Sequence, residues 1–119
     1  HINQSDTMSK VSARTYSRYS LEAISLLGSL IRAARKERQM TAQEVADRAG
    51  ISRGLLQRIE KGDPKCEIGA TFELAAILGV KLFDADATTL TKHIRQTEDK
   101  LALLPKAVRK KVKVADDDF

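Results

Sequence analysis

From Leu21 onward, apolar residues recur at three- and four-residue steps. Leu21, Ile24, Leu27, Ile31 and Ala34 line one face of a first helix. Ser20 is placed to cap its start, and Arg35, Lys36 and Arg38 crowd its end, where the helix dipole favours cations. A second helix is expected after Thr41, an N-cap residue whose capping box is completed by Glu44. Val45 and Ala46 face inward on it, and Gly50 supplies the left-handed residue that ends it. Ser52 caps a third helix that stops at Gly62. A fourth covers about 69–78, where Phe72, Ala75, Ala76 and Leu78 exceed a narrow stripe and predict the most buried helix, with Gly79 at its end. A fifth covers 87–104. Its Leu90, Ile94, Leu101 and Leu104 fall on an approximate heptad seam interrupted by Thr97 and Lys100, and Pro105 closes it.

This pattern predicts an all-α, five-helix fold. Residues 1–19 are expected to form a flexible arm, because 9–20 are polar and Ser-rich without a sustained helical stripe. The seven residues before Met8 (HINQSDT) read as an added leader rather than a natural start. Residues 20–84 form the helical domain, 85–104 an additional helix, and 105–119 a tail expected to be disordered. Composition agrees with a small Leu/Ile/Val/Ala core, since there are 3 Phe, 2 Tyr and no Trp among 119 residues. Two prolines and six glycines are too few for a many-stranded sheet with tight turns.

Other classes drop out. No apolar run approaches a membrane span, and the N-terminus lacks the apolar stretch of a signal peptide. One cysteine and two histidines are too few for an ordinary structural zinc site, and a reducing cytoplasm is the expected compartment. There is no P-loop and no nucleophile beside a histidine and an acid, so no enzyme, metal or cofactor is expected. The net charge of +5 adds little, because residues 21–83 hold only +2 of it, and the last fifteen hold another +2.

Two short helices joined by a glycine turn, within 42–61, form the helix-turn-helix arrangement. Residues 27–80 resemble the helix-turn-helix family of phage Cro and repressor proteins, the XRE type. The resemblance rests on Ile31, Arg35, Thr41, Glu44, Val45, Ala46, Gly50, Ser52, Arg58, Ile59, Glu60 and Gly62, and extends to Leu74-Ala75 and Leu78-Gly79-Val80. It implies that the third helix enters the major groove N-terminus first. Base-reading positions would then be Ser52, Arg53, Gly54, Gln57 and Arg58, with Arg53 matching the O6/N7 edge of guanine. Gln57 would pair with adenine or hold a phosphate, and Gly54 would read nothing or admit close backbone approach.

Phosphate contacts fall to Thr41 and the N–H groups opening the second helix, to Gln43, to Ser52 and to Lys61. The family often has a phosphate-clamping Gln immediately after the Thr41 position. This chain has Ala42 there and Gln43 one step later, about 100° around the helix. In the family, the Arg35 and Glu60 positions form an ion pair bridging the first and third helices. Arg32, Lys36 and Arg38 are weighed between backbone contacts and a solvated, dipole-matched helix end, with the latter preferred. Cys66 reads as a small loop residue, His93 as exposed, and Asp116 to Asp118 as a solvated run.

A reader of this size generally works as a two-fold homodimer on an inverted-repeat operator in double-stranded DNA, with half-sites about 34–36 Å apart. Leu90, Ile94, Leu101 and Leu104 are the expected dimer or partner surface, with the terminal Phe119 as a further anchor; the alternative is a helix folded back on its own domain. The stretch GDPKCEIGATFELAAILGV and the LPKAVRKK…DDDF tail resemble regulators paired with kinase toxins of the HipA type. That resemblance implies a nucleoid-associated antitoxin that binds its toxin and represses its own operon. Two alternatives stay open: a stand-alone repressor without a toxin, and a protein-interaction adaptor that kept the fold but not the DNA contacts.

Overall fold

The structure, a computed structural model, describes residues 15–110. Its regular elements are five α-helices with no strands among the described residues: α1 (Arg18–Glu37), α2 (Ala42–Ala49), α3 (Arg53–Glu60), α4 (Ile68–Leu78) and α5 (Ala87–Leu103). No helix among these residues is long and apolar enough to cross a membrane. The expected arm falls largely on residues 1–14 and the end of the tail on 111–119, including Phe119, both outside the described residues.

The first helix begins earlier than the apolar pattern predicts. Ser17, not Ser20, is the N-cap, its Oγ accepting from the Ser20 N–H at 3.1 Å. Arg18 pairs with Glu22 one turn on at 3.1 Å. That added turn faces solvent, so it carries no apolar residue at core spacing, and periodicity alone misses it. At the other end of α1, Gln39 adopts φ 58°, turning the chain toward α2.

The second and third helices are closed by local chemistry at both ends. The Glu44 N–H donates to Thr41 Oγ1 at 3.1 Å while the Thr41 N–H donates to Glu44 Oε1 at 2.8 Å, a complete capping box. Gly50 takes φ 69° and ends α2, and the Ile51 N–H donates back to the Ala46 carbonyl at 3.0 Å. Two residues later Ser52 Oγ accepts from the Leu55 N–H at 3.0 Å and opens α3. A cap of this type contributes about 1 kcal/mol, which matters for helices of eight residues.

Packing fixes how these helices meet. Ile31 of α1, Val45 and Ala46 of α2, Leu56 and Ile59 of α3, and Leu74, Ala75 and Leu78 of α4 form one buried cluster. Each large apolar side chain buried there contributes about 1.5–3 kcal/mol. Close approach of α1 to the end of α3 depends on two glycines. A Cβ on Gly28 would collide with the Ile59 carbonyl oxygen and lie 2.9 Å from that of Glu60. Gly62, at φ 80°, sits where a Cβ would come within 2.9 Å of Ser25 Cα. The C-terminal end of α3 is therefore clamped against α1.

Contacts divide the chain after Leu82 into two units. In the second, Phe83 and Asp84 take φ 56° and 51° in a two-residue turn. Asp86 then caps α5, its side chain accepting from the Thr89 N–H at 2.8 Å. No residue of α5 is buried; Leu90 is half-buried, and Ile94 and Leu101 are 52% and 61% exposed. The heptad spacing predicts Leu104 as a helical residue of the seam, but the helix ends at Leu103. Leu104 is the extended C-cap at φ −94°, ψ 155°, because a residue preceding proline is pushed out of the helical region.

Candidate nucleic-acid interface

With Leu56 and Ile59 in the core, and Leu55 and Glu60 half-buried, the remaining residues of α3 form its outer face. Arg53, Gly54, Gln57, Arg58 and the C-cap Lys61 are all exposed there, with Ser52 at the leading end. Arg53, Gln57 and Lys61 are four apart and so fall along one line of the helix. Arg53 makes no side-chain hydrogen bond or ion pair among the described residues.

The other positions divide by how much of their hydrogen-bonding capacity is used. Thr41 and Ser52 accept from backbone N–H groups as caps, which leaves each hydroxyl hydrogen available to an external acceptor. Gln43 is exposed, but its Nε2 donates to Asp47 Oδ1 at 2.9 Å, four residues along the same helix. Gly54 has open space on the side where a Cβ would sit, with Ser52 Oγ the nearest atom at 4.0 Å.

Arg58 differs from Arg53. Its Nε donates to Asp63 Oδ2 at 2.8 Å, a contact that the spacing rules for helix pairs do not anticipate because Gly62 turns the chain back. Asp63 also accepts from the Lys65 N–H at 2.9 Å. That backbone bond, followed by the Arg58 side-chain bond, holds the Asp63 carboxyl below its ordinary pKa. In return, the Asp63 bond and charge raise the Arg58 pKa. Asp63 was not singled out from sequence; the available signal was a left-handed glycine followed by an acid just beyond the last helical turn.

Arg35 and Glu60 join α1 to α3. Arg35 Nε and one Nη donate to the two Glu60 carboxylate oxygens at 2.7 and 3.0 Å, and the other Nη donates to the Met40 carbonyl at 3.0 Å. The side chains are only 12% and 6% exposed. The hydrogen bond from Glu60 raises the Arg35 pKa, burial opposes it, and the carboxylate charge adds to the rise. A bidentate, partly buried pair of this kind ties the two helices at a fixed angle.

The Arg35–Glu60 pair lines a groove of about 230 Å³, together with Arg32, Ala42, Gln57 and Lys61. The groove brings the start of α2 and the outer face of α3 to one place. Elsewhere, Cys66 is half-buried beside an apolar cleft that includes Leu27, Ile59 and Phe72. Burial, and then the Asp63 carboxylate, push its thiol pKa up, with Arg58 opposing. A thiol held protonated is a poor nucleophile. Among the described residues, no three His, Cys, Asp or Glu side chains gather where a metal ion would be held.

Residues 26–87 match the family described as Helix-turn-helix domain. Neither a curated protein nor a solved structure matches the chain. The matched span runs from within α1 to the first residue of α5 and contains the capped α2–turn–α3 unit with its exposed outer face. The chain belongs to the helix-turn-helix domain family and carries the DNA-binding module of a regulator.

Proposed function

We propose that the protein is a sequence-specific transcriptional repressor that reads an inverted-repeat operator as a homodimer. The observation that carries this reading is the outer face of α3, where Arg53, Gly54 and Gln57 are exposed at the leading end of a helix locked by Ser52 and the Arg35–Glu60 pair. Arg53 supplies the base-specific contact through its planar fork, and Ser52 and Thr41 donate their hydroxyl hydrogens to flanking phosphates. Lys61 adds a phosphate contact at the trailing end. Gln43 is the weaker phosphate partner, because Asp47 already takes one of its amide hydrogens. Arg58 reads a base only while sharing its guanidinium with Asp63. Ile94 and Leu101 on α5 supply the dimer contact.

Selection of tight-binding duplexes from a random pool tests this. The expected result is an inverted repeat with half-site centres about one or two helical turns apart. A pool that stays random at every salt concentration contradicts it.

Within that reading the protein is the antitoxin of a type II toxin–antitoxin module, capturing a HipA-like kinase and repressing its own operon. What supports the finer assignment is the GDPKCEIGATF loop sequence and an α5 without buried residues. Co-expression with the neighbouring gene is expected to give a complex that binds the upstream DNA. Deleting 105–119 should spare DNA binding and weaken toxin capture. A stand-alone repressor would yield no co-purifying kinase.

A further inference from the structure

Among the described residues, the groove beside Ala42 has three donor side chains without a partner. Arg32 from α1, Gln57 from α3 and Lys61 at its end all line it, and none makes a side-chain hydrogen bond or ion pair among the described residues. The remaining polar groups of the lining, Arg35 and Glu60, neutralise one another through two short bonds. The groove thus carries a net charge of two cations and no unpaired acid. Ala42, with its single methyl, leaves the space open.

We propose that this groove is a phosphate site in which Arg32 and Lys61 hold one phosphodiester of the DNA backbone and Gln57 adds an amide hydrogen bond. The proposal rests on the DNA-binding reading above and refines it in two respects. It assigns Arg32, on a helix outside the helix-turn-helix pair, to direct backbone contact, and of the two roles open to Gln57, a base edge or a phosphate, it takes the phosphate. The chemistry fits. A phosphodiester offers two anionic oxygens, guanidinium binds two acceptors in its plane, and ammonium acts as a point charge beside them. Contact from α1 as well as α3 also fixes how deeply α3 enters the groove, because phosphate contacts set register and orientation.

The general field of a basic protein is separable from a local clamp. Arg18 lies fourteen residues before Arg32 on the same helix, about 21 Å along the axis. That distance exceeds the Debye length of about 10 Å at 0.1 M salt.

The test uses the full chain and a duplex selected by the parent from a random pool. Arg32→Ala is expected to weaken binding about tenfold at 0.1 M salt and to flatten the plot of log affinity against log salt by about one unit. Arg18→Ala should leave both nearly unchanged, and Arg32→Lys should restore most of the affinity. A scan in which single phosphates are replaced by neutral methylphosphonates should reveal one position where the Arg32→Ala penalty disappears. Gln57→Ala should lose affinity without relaxing any base preference.

An Arg32→Ala penalty that persists on every methylphosphonate duplex overturns the clamp, as does a salt slope unchanged from the parent. In either case, operator binding by the parent would leave the DNA reading intact. Binding of inorganic phosphate alone, competing with Arg32-dependent DNA binding at equal ionic strength, would show the same site serving the free anion. A parent that binds no duplex overturns both readings together.

Discussion

The helices up to Leu82 and the helix after it share an amphipathic pattern and differ in what their apolar residues meet. In the first unit, eight side chains from α1 to α4 form a buried cluster, and a bidentate ion pair ties α1 to α3. In the second, α5 is the longer helix by far than α2 or α3, yet none of its residues is buried. The two short helices are held by caps, a left-handed glycine and a shared core. The long one has an N-cap and a pattern, and every one of its residues beyond Leu90 is exposed. Periodicity therefore identifies a face, and only packing tells what the face is for.

Truncations in the two units should differ most in their effect on stability. Leu74→Ala removes a fully buried side chain of α4 and should cost about 3 kcal/mol in urea denaturation. Leu101→Ala on α5 should shift the same curve by less than about 0.5 kcal/mol at low protein concentration. Equal costs would place α5 in the folding core. Gly28→Ala should come next, at about 1–3 kcal/mol, because its methyl has backbone carbonyl oxygens rather than a flexible side chain to displace. Gly54→Ala should do the opposite and stabilise by up to about 1 kcal/mol, since nothing in the protein occupies that space.

Smaller effects sharpen the roles of the individual faces. Under the proposed dimer, Leu101→Asp should lower the dimer fraction in sedimentation while the helical circular dichroism of the chain is kept. The smallest effect belongs to the Asp63 pair. Its carboxyl is held below the ordinary value by the Lys65 N–H and then by Arg58. The folded pKa is thus lower than the unfolded one, so its stabilisation is present above the ordinary carboxylate value of about 4 and is lost as pH falls through the lowered folded value. Asp63→Asn should therefore cost a little at pH 7, and the gap between variant and parent should close in acid. Cys66 should alkylate slowly at pH 7, and faster once denaturant removes the burial that raises its pKa.

Much of the fold was legible from the sequence, because its signals are local and redundant. Thr41 with Glu44, Ser52, Gly50 and Gly79 mark helix ends by chemistry that acts within four residues. The start of α1 was not legible by the same route, since the turn at Arg18 to Ser20 faces water and leaves no apolar trace. The spacing of Leu104 points to a helix, whereas Pro105 next to it favours an extended residue. On α3, the exposure of Arg53 and Gln57 follows from the inward positions of Leu56 and Ile59. The Arg58–Asp63 bond, the Gln43–Asp47 bond and the groove beside Ala42 do not follow from spacing on one helix. They depend on a left-handed turn, a rotamer and the meeting of three helices.

On the proposed reading, the leading end of α3 reads bases. Affinity and melting temperature of Arg53→Ala against the parent, measured on the parent's selected duplex and on versions changed one base pair at a time, test it most directly. The expected result is a loss of roughly 1–3 kcal/mol, about five- to 150-fold, relaxed preference at one base pair per half-site, and an unchanged melting temperature. An Arg53→Ala variant that binds with the parent's affinity and the parent's preference at every position would contradict it.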